Sequence, residues 1–296
     1  YSDLNKVKMI FVKRLFVIVI FVSVFGVGIS QETDNKPLRP IINSTMLELG
    51  RTGRLYDSYL SMIGYAGFNV GLSNERLQMA RWGKNKVLSQ QMVSLNYAST
   101  RNEAQNGKMI MGMLHYAYGM LYTARVPVSG LILYGGGQAE ARAGFIYNLR
   151  NSNNPATAKV DLNLSLSGIA AYTFRIKKYP ITIRYQMILP FAGMFFGPAF
   201  GQSYYEMFEV GNLEGTIHFG SFHNQFHMNN LVTVDLPLGR GALRLGYRNT
   251  IYSTLQSHID TQIYTNSFVV GVTTEFIPWN RRKQARQKQH VFPVYY

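Results

Sequence analysis

Hydrophobic and polar residues alternate without a break over residues 159–176, KVDLNLSLSGIAAYTFRI. One set of alternate positions is apolar throughout its first half, and the other set carries Asp161 and Arg175 at its ends. A period of two is the pattern of an extended strand, because successive side chains point to opposite faces of a sheet. Strands in soluble proteins usually have about 5–6 residues. This length therefore predicts a strand of a large soluble barrel or of a membrane barrel.

The same alternation returns in residues 93–98, 138–149, 181–191 and 264–276. The predicted strands are residues 44–50, 66–80, 87–99, 108–123, 130–149, 159–175, 181–195, 202–210, 214–222, 229–237, 241–256 and 262–276. This count predicts an all-β chain of about twelve strands. Ten is the alternative, because residues 44–50 and the pair within 202–222 have the weakest pattern.

Segment length and connection length favour a membrane barrel over a soluble, lipocalin-like one. A spanning strand needs about 9–11 residues, and most predicted segments exceed that. Short links at 176–180 and 239–241 alternate with longer ones at 99–107, 150–158 and 196–211, as in outer-membrane barrels. Alternation alone does not say which face is outside, but full charges on the less apolar face favour a polar interior. We therefore predict a closed antiparallel transmembrane β-barrel in the bacterial outer membrane.

The start of the chain resembles a secretory signal sequence. Lys13 and Arg14 precede an apolar run at Leu15–Val27, and small residues lead to a predicted cleavage after Ser30. The predicted organisation is upstream residues and signal peptide at 1–30, a periplasmic segment at 31–43, the barrel at 44–278 and a basic tail at 279–296. The expected partners are outer-membrane lipids and, during insertion, the barrel-assembly machinery.

The formal net charge is +15, and the chain contains no cysteine. Much of the positive charge lies in the leader and in the tail, at Arg281, Arg282, Lys283, Arg286 and Lys288. Nucleic-acid binding requires basic residues clustered on a folded face, so we expect no nucleic-acid partner. Without cysteine there is no disulfide framework and no thiolate metal site.

Several charged residues occupy the predicted interior faces of the strands. They are Glu140, Arg142, Asp161, Arg175, Arg184, Arg244 and Arg248. This set predicts a predominantly basic, lumen-lining surface. An open lumen of this kind favours anions. The equal alternative is an ionic plug in a barrel too narrow to conduct.

Catalytic and metal chemistry have weaker support. Ser221 and His223 lie two apart on one predicted strand, which makes them candidates for a lipid-active serine hydrolase or transferase. His218, His223 and His227 fall close together, but their spacing fits no zinc motif and no nearby carboxylate completes a ligand set. We therefore expect no metal and no cofactor.

Three segments carry a resemblance to a known family. They are residues 55–76 (LYDSYLSMIGYAGFNVGLSNER), residues 135–191 and residues 200–212 (FGQSYYEMFEVGN), with FIYNLRNSNNP at 145–155 the most specific part. The chain resembles an uncharacterised outer-membrane β-barrel family of the Bacteroidetes, known as a domain of unknown function. The resemblance runs from about residue 46 to residue 278. It implies the barrel and its location, and it brings no activity or catalytic residues.

The resulting hypothesis for function is a narrow small-solute pore, anion-preferring if its lumen is open, or a passive wall protein. One alternative is an outer-membrane lipid-modifying enzyme that cuts or transfers acyl chains. The other is a surface interaction module that acts through the long loops.

Overall fold

The computed structural model describes residues 39–276, except for 85, 153, 178, 199–201, 203, 205–214 and 239–240. The predicted signal sequence at 1–30, most of the predicted periplasmic segment and the basic tail lie outside the described residues. No helix in the described part of the chain is long and apolar enough to cross a membrane.

Eleven strands run through the described residues. Their bounds are β1 Ile41–Asp57, β2 Ser61–Met79, β3 Val87–Asn102, β4 Lys108–Arg125, β5 Leu131–Asn148, β6 Ala156–Ile176, β7 Tyr179–Phe196, β8 Ile217–Ser221, β9 Gln225–Leu238, β10 Gly241–Gln256 and β11 Ile259–Phe276. β1 thus begins before the predicted start of the barrel at residue 44. The alternating segment that includes residues 159–176 is a single strand, β6.

The strands form one closed antiparallel barrel. Neighbours in sequence pair with each other from β1 to β7 and from β9 to β11. β1 also pairs with β11, and β7 pairs with β9, which completes the ring. Ten strands make the ring. β8 is a short addition that pairs with Ala192–Phe196 at the end of β7, beyond the part of β7 that β9 pairs with.

The alternative count of ten is therefore confirmed for the ring, and twelve is wrong. The predicted strand at 214–222 is the short β8, because it meets only one end of β7. The predicted strand at 202–210 lies almost wholly outside the described residues.

The apolar face of each strand points outward. In β6 the outward Leu162, Leu164 and Leu166 are 54–57% exposed, whereas the alternate residues Asp161 and Asn163 are 1% and 3% exposed. A soluble barrel would bury the leucines and expose the aspartate. The protein is therefore built as an outer-membrane barrel, with an apolar exterior and a polar interior.

The meander gives the barrel two distinct ends. At the terminal end, β1 begins and β11 ends, the end of β6 pairs with the start of β7, and the end of β9 pairs with the start of β10. At the loop end lie the connections at 103–107, 149–155 and 197–216. The two links predicted to be tight turns thus share one end, and the three predicted longer loops share the other.

An apolar cluster of buried side chains lies inside the barrel near each end. The terminal-end cluster consists of Ile42, Leu77, Met79, Leu88, Leu121, Tyr134, Ile169 and Ala171. The loop-end cluster consists of Leu55, Leu60, Tyr65, Ala98, Met109, Met111, Ile146, Tyr252 and Ile263. Polar and charged side chains occupy the interior between these two clusters.

A charge on the outward face should destabilise the barrel according to its depth in the bilayer. We expect Leu166→Arg, at the middle of β6, to lower the free energy of unfolding by about 2–4 kcal/mol, since a lipid-facing arginine is most costly at the midplane. Leu149→Arg, at the loop end after β5, should cost only about 0–1 kcal/mol. Denaturant unfolding in phospholipid bilayers measures both values, and equal costs would contradict the assigned outward face.

Candidate functional site

The barrel interior holds eleven buried acidic and basic side chains among the described residues. Each is less than a tenth exposed. The acidic members are Glu48, Asp57, Glu75, Glu140, Asp161 and Asp235, and the basic members are Arg142, Lys159, Arg184, Arg244 and Arg248. His115 and His227 are buried with them. The prediction of a predominantly basic interior is wrong, because six carboxylates accompany the five basic groups.

Glu75 and Arg184 form an ion pair across the full width of the barrel. Glu75 lies on β2 and Arg184 on β7, and four strands separate these two in either direction around the ring. Arg184 Nη1 nevertheless lies 2.5 Å from Glu75 Oε2, and Arg184 Nη2 donates to Glu75 Oε1 at 2.6 Å. The lumen is therefore spanned by side chains at this level.

Neighbouring groups extend this pair into what we call the Glu75 network. Arg244 Nη1 donates to Glu75 Oε2 at 3.0 Å, and its Nε and Nη2 donate to the two oxygens of Asp235 at 2.7 Å each. Gln90 donates to Glu75 Oε1 at 2.5 Å, and Arg184 also donates to Gln186. Glu75 thus has partners on β3, β7 and β10.

A second ion pair crosses the barrel nearer the loop end. Lys159 Nζ on β6 lies 2.8 Å from Asp57 Oδ2 on β1, and four strands again separate β6 and β1 in either direction. Thr157 donates to the same carboxylate at 2.9 Å, and Lys159 donates to Thr261 at 2.8 Å. All of these residues are 5% exposed or less.

Between the two crossings, Arg142 organises a third group of polar side chains. Its guanidinium donates to Glu140 at 2.7 Å, to Asp161 at 3.0 Å and to His227 Nδ1 at 2.6 Å. A guanidinium can only donate, so His227 Nδ1 accepts and the neutral ring carries its proton on Nε2. His115 Nε2 lies 2.8 Å from Glu140 Oε2, and Ser165 donates to the other oxygen of Glu140.

The sequence-predicted lumen residues lie inside the barrel, with one exception. Glu140, Arg142, Asp161, Arg184, Arg244 and Arg248 are 0–6% exposed. Arg175 shares the interior parity of β6, but it is exposed beside the turn at the terminal end, beyond the last buried residue Ala171. Arg175 therefore belongs to the rim of the barrel.

The candidate catalytic pair is not assembled. Ser221 Oγ donates to the carbonyl of Phe191 at 2.9 Å, and Ser221 N donates to Asn224 Oδ1 at 3.0 Å. His223 is exposed in the turn after β8, and no hydrogen bond joins it to Ser221 in the described structure. A histidine that activates a serine must lie within hydrogen-bond reach of its hydroxyl, so this geometry does not form a nucleophile.

The three neighbouring histidines are also separated. His218 Nε2 donates a hydrogen bond to the carbonyl of Gly197 at 3.0 Å. His223 is exposed, and His227 is buried beside Arg142. The described residues contain no group of three or more metal-ligating side chains suited to hold an ion.

Sequence reasoning missed Glu48, Asp57, Glu75, Lys159 and Asp235, which complete the interior. Three of them follow the same alternation as the residues that were found. Glu48 lies between the outward Leu47 and Leu49, Lys159 is two residues from the inward Asp161, and Asp235 is two residues from the inward Thr233. Alternation marks such positions as interior, but it does not reveal which strands face each other across the lumen.

Breaking the Glu75–Arg184 pair should strongly destabilise the barrel. We expect Arg184→Ala to lower the free energy of unfolding by about 3–5 kcal/mol, because a buried carboxylate loses its main partner. The double variant Glu75→Gln, Arg184→Met removes both charges. It should lower the free energy of unfolding by less than the sum of the losses in Glu75→Gln alone and Arg184→Met alone. Arg101→Ala, at an exposed site on β3, is the control. Additive costs in denaturant unfolding would contradict a direct pair across the barrel.

Three solved structures illustrate the likeness to known barrels. The translocator domain of the autotransporter NalP from Neisseria meningitidis is 11% identical, with 82% of this chain and 90% of that chain covered and a TM-score of 0.37. An outer membrane channel from Pseudomonas putida F1 is 8% identical, with coverage of 84% and 100% and a TM-score of 0.36. Neisserial surface protein A is 8% identical, with coverage of 80% and 97% and a TM-score of 0.30. At these scores the likenesses support no inference about function.

The sequence itself matches one family. No curated protein matches it. Residues 13–283, which include every strand of the barrel, match the family described as "Protein of unknown function (DUF3316)". The chain therefore belongs to the DUF3316 family, and the structure shows the member described here to be an outer-membrane β-barrel.

Proposed function

We propose that the protein is a non-conducting outer-membrane barrel whose interior is a structural core. One observation carries the proposal: the ion pairs Glu75–Arg184 and Asp57–Lys159 join opposite walls of the barrel at two levels. A solute path along the axis would have to break both pairs, and removal of one partner of a buried pair costs about 3–5 kcal/mol.

The apolar clusters support the same conclusion at both ends. Leu77, Leu88 and Leu121 in the terminal-end cluster are fully buried, as are Leu55, Met109 and Ile146 in the loop-end cluster. A side chain that lined a water-filled channel would be exposed to that water. An ion that passed the apolar side chains of these clusters would also lose part of its hydration shell.

Two residues of the connection between β7 and β8, Gln202 and Tyr204, contact other parts of the loop end. Tyr59 Oη donates to the carbonyl of Gln202 at 3.2 Å, and the rings of Tyr59 and Tyr204 meet edge to face at 5.9 Å. Ala158 N donates to Tyr204 Oη at 2.5 Å. The described residues of this connection therefore pack onto β6 and onto the β1–β2 turn.

The proposed location and orientation follow the usual rules for such barrels. The leader within residues 13–30 would direct export, and the barrel-assembly machinery would insert the barrel with outer-membrane lipids around it. The terminal end would face the periplasm, and the loop end, where the longest connection of the chain joins β7 to β8, would face the outside. The passive wall hypothesis is thus favoured over the anion-preferring pore, because the interior charges are already paired.

Single-channel conductance distinguishes a closed barrel from a pore. We expect the full chain, purified in detergent and inserted into planar bilayers, to give no steady single-channel openings across a range of salt gradients. An unheated sample that migrates faster in SDS gels than a heated one would show that the purified protein is folded. The absence of openings could then not be attributed to an unfolded chain.

A pore would give a different and specific result. Steady openings whose ion preference reverses in Arg142→Glu or Arg184→Glu would show that ions pass these residues, and would overturn the proposal. A heat-denatured sample is the control. Non-selective leakage that appears with this sample as well would come from defects in the bilayer and not from a pore.

A further inference from the structure

A cavity of about 80 Å³ remains inside the barrel, between the Arg142 group and the loop-end cluster. Arg248, Asn69 and Asn229, on three different strands, are among the residues that line it. About 10–15 Å³ accommodates one water molecule, so the space suits several waters or a small polar ligand. We call this space the Arg248 cavity.

Arg248 is buried with only part of its guanidinium engaged. It is 5% exposed, and its Nη1 lies 3.3 Å from Glu48 Oε1, an oxygen that also accepts from Ser73 at 2.6 Å. Neither Nε nor Nη2 of Arg248 has a hydrogen-bond partner among the described residues. An unsatisfied buried donor is costly, and more so on a charged group.

Arg244, four residues earlier on the same strand and also inward, shows what the Nε–Nη2 edge of a guanidinium binds. Its Nε and Nη2 hold the two oxygens of Asp235 side by side, at 2.7 Å each. The corresponding edge of Arg248 has no carboxylate opposite it in the described structure. Two oxygens of a single anion would fit this edge in the same bidentate manner.

Two residues that line the cavity each have a buried hydrogen-bond acceptor with no donor among the described residues. Oδ1 of Asn69 and Oδ1 of Asn229 are buried, and no donor among the described residues reaches either one. Asn69 uses its amide nitrogen to donate to Ser267 at 3.0 Å, which leaves its oxygen free to accept. A ligand that satisfied both asparagines would therefore need hydrogen-bond donors of its own.

We propose that the Arg248 cavity binds a small oxyanion that carries its own proton donor, with hydrogen phosphate as the simplest example. Two of its oxygens would accept from Nε and Nη2 of Arg248, and a protonated oxygen would donate to an asparagine. Sulfate has the same shape but no proton to donate at neutral pH, so it would leave both asparagines unsatisfied. Sites with buried acceptors discriminate against analogues that lack the donor.

The experiment measures the urea midpoint of the folded full chain in detergent, in phosphate, sulfate or chloride at equal ionic strength and neutral pH. Phosphate should raise the midpoint more than sulfate does, because bound ligand stabilises only the folded state. Sulfate and phosphate both strengthen folding generally, so each variant is compared with itself in chloride and the specific part of the phosphate shift is the part that depends on Arg248. Arg248→Gln should lower the phosphate shift to no more than the sulfate shift, and the exposed control Arg101→Gln should leave it unchanged.

Glu48→Gln provides a test of opposite sign that does not require the Arg248 variant to fold. It removes the competing carboxylate while its side-chain oxygen can still accept from Ser73, so the phosphate shift should increase. A urea midpoint in phosphate equal to the midpoint in chloride, or a phosphate shift unaffected by both Arg248→Gln and Glu48→Gln, would show that the cavity holds water only and would overturn the proposal. Equal, Arg248-dependent shifts in phosphate and sulfate would overturn the requirement for a ligand donor.

Discussion

The need to satisfy every backbone hydrogen bond inside a membrane determines the rest of this structure. Hydrocarbon offers no partner for an N–H or C=O group, so a sheet can span a bilayer only when it closes on itself. β6 pairs with β7 from Asp161–Phe195 to Ile176–Tyr179. This pairing joins strands β1 to β6 to the strands that follow from β7 through β9 to β11, and so closes the ring. Once the ring is closed, each strand has one lipid face and one interior face.

A ten-stranded ring then creates a problem of width. Eight strands leave an interior that ordinary side chains fill, whereas much larger barrels leave a channel. In this barrel the longest side chains span the gap. Arginine and lysine reach from one wall, and aspartate and glutamate meet them from the other, as in Arg184–Glu75 and Lys159–Asp57. The charges are expensive to bury singly, so the interior contains them in mutually satisfied groups. The Arg248 cavity is where this satisfaction is incomplete.

The sequence predicts the wall of the barrel better than its contents. Strict alternation in residues 159–176 is enough to define β6 and to separate its lipid face from its interior face, because that separation depends only on neighbours along one strand. Interior pairing depends on which strands lie opposite each other, and this follows from ring size and register. Glu75 and Arg184 are 109 positions apart, so no local pattern joins them. Arg175 shows the opposite error. Its alternate position on β6 predicts an interior side chain, but it lies beyond the buried part of the strand and is exposed.

On the proposed function, no water-soluble molecule passes the Glu75 network, and thiol accessibility at that level tests this directly. The chain has no cysteine, so a single introduced one reports without background. Ser44, fully buried on β1 and paired in register with Glu75 of the Glu75 network, is the test site, and Ser129, in the exposed β4–β5 turn, is the matched control. In the folded protein, a charged, water-soluble thiol reagent should modify Ser129→Cys rapidly and leave Ser44→Cys unreacted until denaturant is added. Equally rapid reaction at both sites would show that water and solutes enter the lumen, and would contradict the account.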